Sequence, residues 1–119
     1  MIDFDAYIDQ THQTAVYPGA GKGTMQELAY IGLGLAGETG EVVDGLKKIY
    51  RSQGTEKADE VMKAQEAHIK EELGDVMWYF ARLCNAFGWS MEEILKENLE
   101  KLNIRLVNDT LVFRKSGDS

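Results

Sequence analysis

Apolar side chains in this chain recur every three or four positions, and a single proline, Pro18, interrupts the pattern. That is the period of a helix surface, whereas a half-buried strand would alternate at every second residue. The expected fold class is therefore all-α, a four-helix-type bundle with antiparallel central helices. Asp3 is placed to cap a short first helix ending near Gln13, and Pro18-Gly19-Ala20-Gly21-Lys22-Gly23 reads as a loop. Thr24-Met25-Gln26-Glu27 has capping-box form and opens a second helix reaching about Arg51. Ser52-Gln53-Gly54-Thr55 reads as a turn, with Thr55 capping a third helix that ends at Gly88. Trp89-Ser90-Met91-Glu92-Glu93-Ile94 then combines a second capping box, Ser90 with Glu93, and a hydrophobic staple of Trp89 onto Ile94. The fourth helix is expected to fade near Val107. Residues 1–107 thus form one domain and 108–119 a tail, whose Leu111-Val112-Phe113 has the apolar character to dock.

A chain of 119 residues has room for one domain and enough length to bury a core. Its 13 Lys and Arg against 20 Asp and Glu leave a net charge of −7, which disfavours the phosphate backbone of nucleic acid. The lone Cys84 lies in the run Phe80-Ala81-Arg82-Leu83-Cys84 and reads as a small buried hydrophobe. Acids near the N-terminus do not suit a secretory signal, and no apolar run reaches the ~18 residues of a membrane span. A soluble, cytoplasmic protein with no membrane or nucleic-acid partner is expected.

The second helix carries the stripe Leu28, Ile31, Leu35, Glu38, Val42, Ile49, in which Glu38 stands where an apolar residue belongs. Glu41, three residues on, projects from nearly the same face. In the third helix the stripe Ile69, Leu73, Val76, Phe80, Leu83, Phe87 is flanked by Glu72 and Asp75, again three apart. In an antiparallel hairpin turning near residues 52–56, a rise of ~1.5 Å per residue brings the two acid pairs level within about one turn. Four such acids repel one another and are costly to desolvate. A hard cation such as Mg²⁺, which takes oxygen ligands and leaves room for water and phosphate, resolves both problems. Gly32, Gly34, Gly37, Gly40 and Gly45 weaken the second helix, and Gly37, Gly40 and Gly74 directly precede Glu38, Glu41 and Asp75. Missing side chains there would allow close approach of a backbone or a bulky ligand. The plain alternative is that these acids are solvated helix residues paired with Lys47, Lys48 or Lys70.

The segments Gly32–Val42 (GLGLAGETGEV), Glu71–Tyr79 (EELGDVMWY) and Asn98–Arg105 (NLEKLNIR) resemble the MazG-like, all-α nucleotide pyrophosphohydrolases, over roughly Tyr7 to Arg105. The resemblance implies an E-x-x-E, E-x-x-D metal site at Glu38, Glu41, Glu72 and Asp75. It also implies Mg²⁺-assisted attack of water on a nucleoside triphosphate, with Mn²⁺ able to substitute, giving a monophosphate and pyrophosphate. Glu41, with Glu38, is then the candidate catalytic acid that activates or orients water. The resemblance further implies a homodimer or homotetramer, and Met77, Trp78, Tyr79 and Phe80, apolar around the whole helix, agree with that. Asn98, Lys101 and Arg105 share one face of the fourth helix beside Leu95, Leu99, Leu102 and Leu106. Asn98 is assigned to sugar or base and the two cations to phosphate.

Three other readings compete. Pro18–Thr24 looks locally like a phosphate loop, but Val16 stands where its first glycine is needed and no apolar strand precedes it. At most Lys22 would reach a phosphate from a flexible loop. A di-iron bundle wants Glu-x-x-His, and neither His12 nor His68 has a Glu three residues upstream. His68 reads as a surface or packing residue. A non-catalytic helical interaction module is the third reading.

Overall fold

The computed structural model describes residues 2–108, so the expected docking of Leu111-Val112-Phe113 lies outside the described residues. It is all-helical, with α1 (Phe4–Thr11), α2 (Met25–Ser52), α3 (Ala58–Phe87) and α4 (Met91–Val107). Asp3 caps α1 as expected, its Oδ1 accepting from the N–H groups of Asp5 and Ala6 at 2.9 and 3.4 Å. Thr24 caps α2 through the Glu27 N–H.

Two termini are built differently from the sequence pattern. Thr55 does not cap α3: its hydroxyl donates to the Ser52 carbonyl at 2.6 Å, closing the end of α2. The cap position of α3 falls on Lys57, which makes no side-chain capping bond. At α4, Ser90 accepts from the Glu93 N–H at 3.1 Å, but the remaining donors of the first turn go to Asp5 on α1. Asp5 accepts from the Met91 N–H at 2.9 Å and from the Ser90 hydroxyl at 2.8 Å. A carboxylate there also opposes the positive end of the helix dipole. Trp89 stacks on Phe87 with ring centroids 4.3 Å apart. Gly88, with φ of 73°, closes α3, and the Trp89 N–H reaches the Cys84 carbonyl at 2.8 Å.

The long helices α2 and α3 pair along their length as an antiparallel hairpin, and two glycines fix its register. A Cβ on Gly34 would overlap the Tyr79 ring, and one on Gly45 would sit 2.8 Å from Cγ1 of Ile69. Four residues on from Gly34 stands Glu38, and four back from Tyr79 stands Asp75. Three further steps in each direction reach Glu41 and Glu72. Gly32, Gly37, Gly40 and Gly74 face open space, so close backbone approach is confined to Gly34 and Gly45. Where α1, α3 and α4 meet, Ile8, Ala81, Cys84 and Met91 form the core, with Tyr7, Met77, Phe80 and Ile94 packed around it.

α4 packs chiefly on α1, and only its first turn meets α3, in the core. Its Leu99 and Ile104 are 67 and 60% exposed, and on α2 Leu33 and Tyr50 are 76 and 82% exposed. Large apolar faces are therefore left uncovered by a single copy.

Candidate metal and phosphate site

The hairpin register delivers the carboxylates to one place. Oxygens of Glu38, Glu72 and Asp75 lie within 4.8 Å of one another, and Glu41 comes within the same distance of Glu72 and His68. Glu38 and Glu72 are half-buried between the helices, while Glu41 and Asp75 stand at the solvent edge. Burial, then the charges of Glu72 and Asp75, push the Glu38 carboxyl up to about 7. Its Oε1 is buried with no hydrogen-bond partner. A buried acceptor that nothing satisfies is expensive, and it is accounted for when an ion takes its lone pair.

Phenols border the cluster. Burial and the Asp75 charge raise Tyr7, and burial, Tyr30, Glu38 and Asp75 together raise Tyr79, so both stay neutral beside the acids. Tyr30 stacks on Tyr17 at 4.7 Å and Trp78 meets Tyr79 edge-on at 5.1 Å. The Trp78 indole N–H donates to the Thr14 hydroxyl at 2.8 Å. These rings are thereby tied into the packing of α2, α3 and the segment after α1.

The remaining sequence candidates lie on elements other than α2 and α3. Asn98 and Lys101 line a shallow pocket of about 300 Å³ with Ile94 and Glu97 on α4. Arg105 lies one turn beyond on the same exposed helix. Lys22 is exposed in the loop before α2.

That loop is organised by a residue the sequence pattern left as a capping partner. The Glu27 carboxylate is fully buried and accepts from the N–H groups of Gly21 and Gly23, both at 2.7 Å, and from the Tyr17 hydroxyl at 2.7 Å. Arg82, 1% exposed, donates to the Tyr17 hydroxyl and to the Thr11 hydroxyl, both at 3.1 Å, and lies 3.9 Å from Glu27. Burial alone would raise the Glu27 carboxyl, but these donors and the Arg82 charge outweigh it and hold it below its ordinary value. The loop amides are therefore turned toward an internal anion. The phosphate-loop alternative at Gly19–Thr24 fails for that reason, and the loop is pinned instead of flexible. An arginine inside the most apolar run of the chain was the available signal for this network.

His68, read from the sequence as a surface or packing residue, falls next to two of the acids. It lies one turn before Glu72 on α3, on the side facing Glu41. Cys84 is buried as expected, and burial followed by the Asp5 charge raises its thiol.

A helical hairpin that gathers acids from E-x-x-E and E-x-x-D pairs defines a class of helical proteins built to hold a divalent ion. Residues 26–108 match the MazG nucleotide pyrophosphohydrolase domain, and the chain belongs to that family. The chain is also similar to the Gene 37 protein of Mycobacterium phage L5, at 37% identity over 116 residues, covering 97% of this chain and 96% of the phage protein. No solved structure matches it. The family assignment supports a nucleotide pyrophosphohydrolase activity in general terms and, with the acidic groupings, a divalent-metal requirement. Among the described residues no helix is long and apolar enough to cross a membrane.

Proposed function

We propose that the protein hydrolyses nucleoside triphosphates between the α and β phosphates, releasing a nucleoside monophosphate and pyrophosphate, with Mg²⁺ or Mn²⁺ as cofactor. The observation that carries this reading is the Glu38, Glu72 and Asp75 cluster with its unsatisfied buried Glu38 oxygen. Glu38, Glu41, Glu72 and Asp75 would hold the cation. When bound, such an ion neutralises phosphate charge and makes a coordinated water more acidic.

The chain's own residues supply the rest. Glu41, at the open edge, is suited to accept a proton from the attacking water, with Glu38 behind it. Asn98 offers an amide to sugar or base, and Lys101 and Arg105 offer positive charge to the phosphates, with Lys22 as a further contact. Because apolar side chains of α2 and α4 stay exposed in one copy, a homodimer or homotetramer is the form expected to assemble these groups. Burial of the free thiol of Cys84 is compatible with a reducing cytoplasm.

Product analysis tests the reading. With Mg²⁺ and a panel of ribo-, deoxyribo- and modified triphosphates, pyrophosphate and monophosphate are expected from at least one substrate. Orthophosphate as the only product, or no turnover of any member, overturns it.

A further inference from the structure

One motif of the sequence takes no part in the metal and phosphate site: Leu111-Val112-Phe113 is followed at once by Arg114-Lys115, an apolar triplet with two cations on a chain of net charge −7. The α3–α4 corner carries the complementary pattern. Gly88, Trp89, Ser90, Glu93, Ile94 and Glu97 line an open cavity of about 730 Å³, and Ile94 and Glu97 continue into the smaller pocket with Asn98 and Lys101. Together the two make one groove along α4. We propose that residues 111–115 fold back and seat in this groove of their own chain, Phe113 against Ile94 and the two cations on Glu93 and Glu97 beside the Trp89 ring.

Reach selects the occupant. α4 ends at Val107, and at ~1.5 Å per residue Lys101 lies about 9 Å and Glu93 about 21 Å back along the helix. An extended chain leaving Asn108 advances up to ~3.3 Å per residue, so residue 111 reaches about 10 Å and residue 115 about 23 Å. The triplet therefore spans the groove from Lys101 toward Ile94, and the long stems of Arg114 and Lys115 make up what the turn consumes. Charge agrees with reach. Among the described residues neither Glu93 nor Glu97 pairs with a cation. Trp89 and Phe87, stacked at 4.3 Å and each 50% exposed, leave aromatic surface in water where a cation can lie against it. By helical phase the groove residues stand almost opposite Leu95, Leu99 and Leu102, so a seated tail leaves that apolar stripe free for association.

Tethering lets modest contacts suffice. A segment joined to its groove by a few residues meets it at an effective concentration on the order of mM, without paying for a second molecule. Exposed ion pairs are individually weak and screened by salt, so Phe113 supplies the anchoring and the two acids fix the direction. Seated there, the tail shields Asn98 and Lys101 and competes with any ligand of those two residues. The docking rests on the groove and the tail and does not require that the nucleotide reading be correct.

The test places a nitroxide on Ser116→Cys of the full chain and reads the indole N–H signals of its two tryptophans by ¹⁵N NMR at low salt. Cys84 is protected from labelling by its burial, and Trp89→Phe identifies the Trp89 signal. With the tail otherwise unchanged, the Trp89 signal is expected to broaden well beyond that of Trp78. The excess is expected to vanish in Phe113→Ser and in Arg114→Glu with Lys115→Glu, and to return when the latter pair is combined with Glu93→Lys and Glu97→Lys. Helical circular dichroism confirms that each variant is folded. Equal broadening of the two signals, no loss in either tail variant, or no recovery on charge exchange overturns the proposal. A second copy as the occupant is tested by mixing spin-labelled chains of ordinary nitrogen with ¹⁵N chains that carry no label. Full broadening of Trp89 in that mixture overturns docking within one chain. Selective broadening of Trp89 in a protein that releases no pyrophosphate would overturn the functional reading and leave the docking standing.

Discussion

Asp75 is the exposed member of the all-oxygen triad, so a change there alters charge with little loss of packing. In the metal-free protein, Asp75→Asn removes one of the like charges facing Glu38 and is expected to leave the melting temperature equal to or above that of the parent. Excess Mg²⁺ should raise the parent's melting temperature, since an ion at a hundredfold its Kd stabilises the folded state by about 2.7 kcal/mol. The variant should respond far less; equal responses in thermal melts with EDTA and with Mg²⁺ would remove Asp75 from the ligand set. Glu38 adds a pH dependence. Its carboxyl lies near 7 in the folded chain against an ordinary 4.5, so the folded state holds the proton more tightly than the unfolded one. The stability this contributes is complete below about 4.5 and is lost as pH rises through about 7. Denaturant unfolding of the metal-free protein should therefore show stability from this group falling across that window. Mg²⁺, which competes with the proton, should bind more tightly over the same rise.

At the scale of elements, the α2–α3 hairpin depends on two of its glycines and tolerates change at others. Gly34→Ala forces a methyl into the Tyr79 ring and is expected to destabilise the protein by about 1–3 kcal/mol, the usual cost of overpacking. Gly32, two residues away, faces open space, and Gly32→Ala should stabilise by up to about 1 kcal/mol through helix propensity. Urea midpoints for the pair check both signs. If both substitutions stabilise, the two helices do not approach at Gly34 and the register that aligns the acids is wrong. Elsewhere the helix ends are secured from outside their own sequence: Asp5 of α1 caps α4, and Glu27 and Arg82 fasten the glycine loop to α1 and α3.

For the whole molecule, the exposed apolar faces of α2 and α4 argue for association, since contiguous apolar surface left in water marks an interaction site. Leu99 is 67% exposed, so its side chain contributes little to the packing of one copy. Leu99→Glu is therefore expected to keep helical content while shifting sedimentation from an oligomer to a smaller species. A parent that sediments as a monomer at all concentrations would remove the homodimer and homotetramer from consideration.

Four helices, their approximate ends and the two acid pairs were legible in the sequence because each rests on local rules. Period, caps and three-residue spacing act within one or two turns of the same helix. Thus Asp3, Thr24, Ser90 and Gly88 stand where the pattern put them, and Glu38, Glu41, Glu72 and Asp75 could be named before any contact was known. The departures share one cause, which is competition from groups outside the helix whose end the pattern describes. Thr55 spends its hydroxyl on α2, Glu27 turns from its own helix start to the Gly21 and Gly23 amides, and Asp5 of α1 accepts from the Met91 N–H and the Ser90 hydroxyl at the start of α4. Only the packed hairpin decided which glycines are crowded and that His68 lies beside Glu41 and Glu72. Both follow from the register between two helices, and a register set by side chains meeting across an interface has no periodic trace in either helix alone.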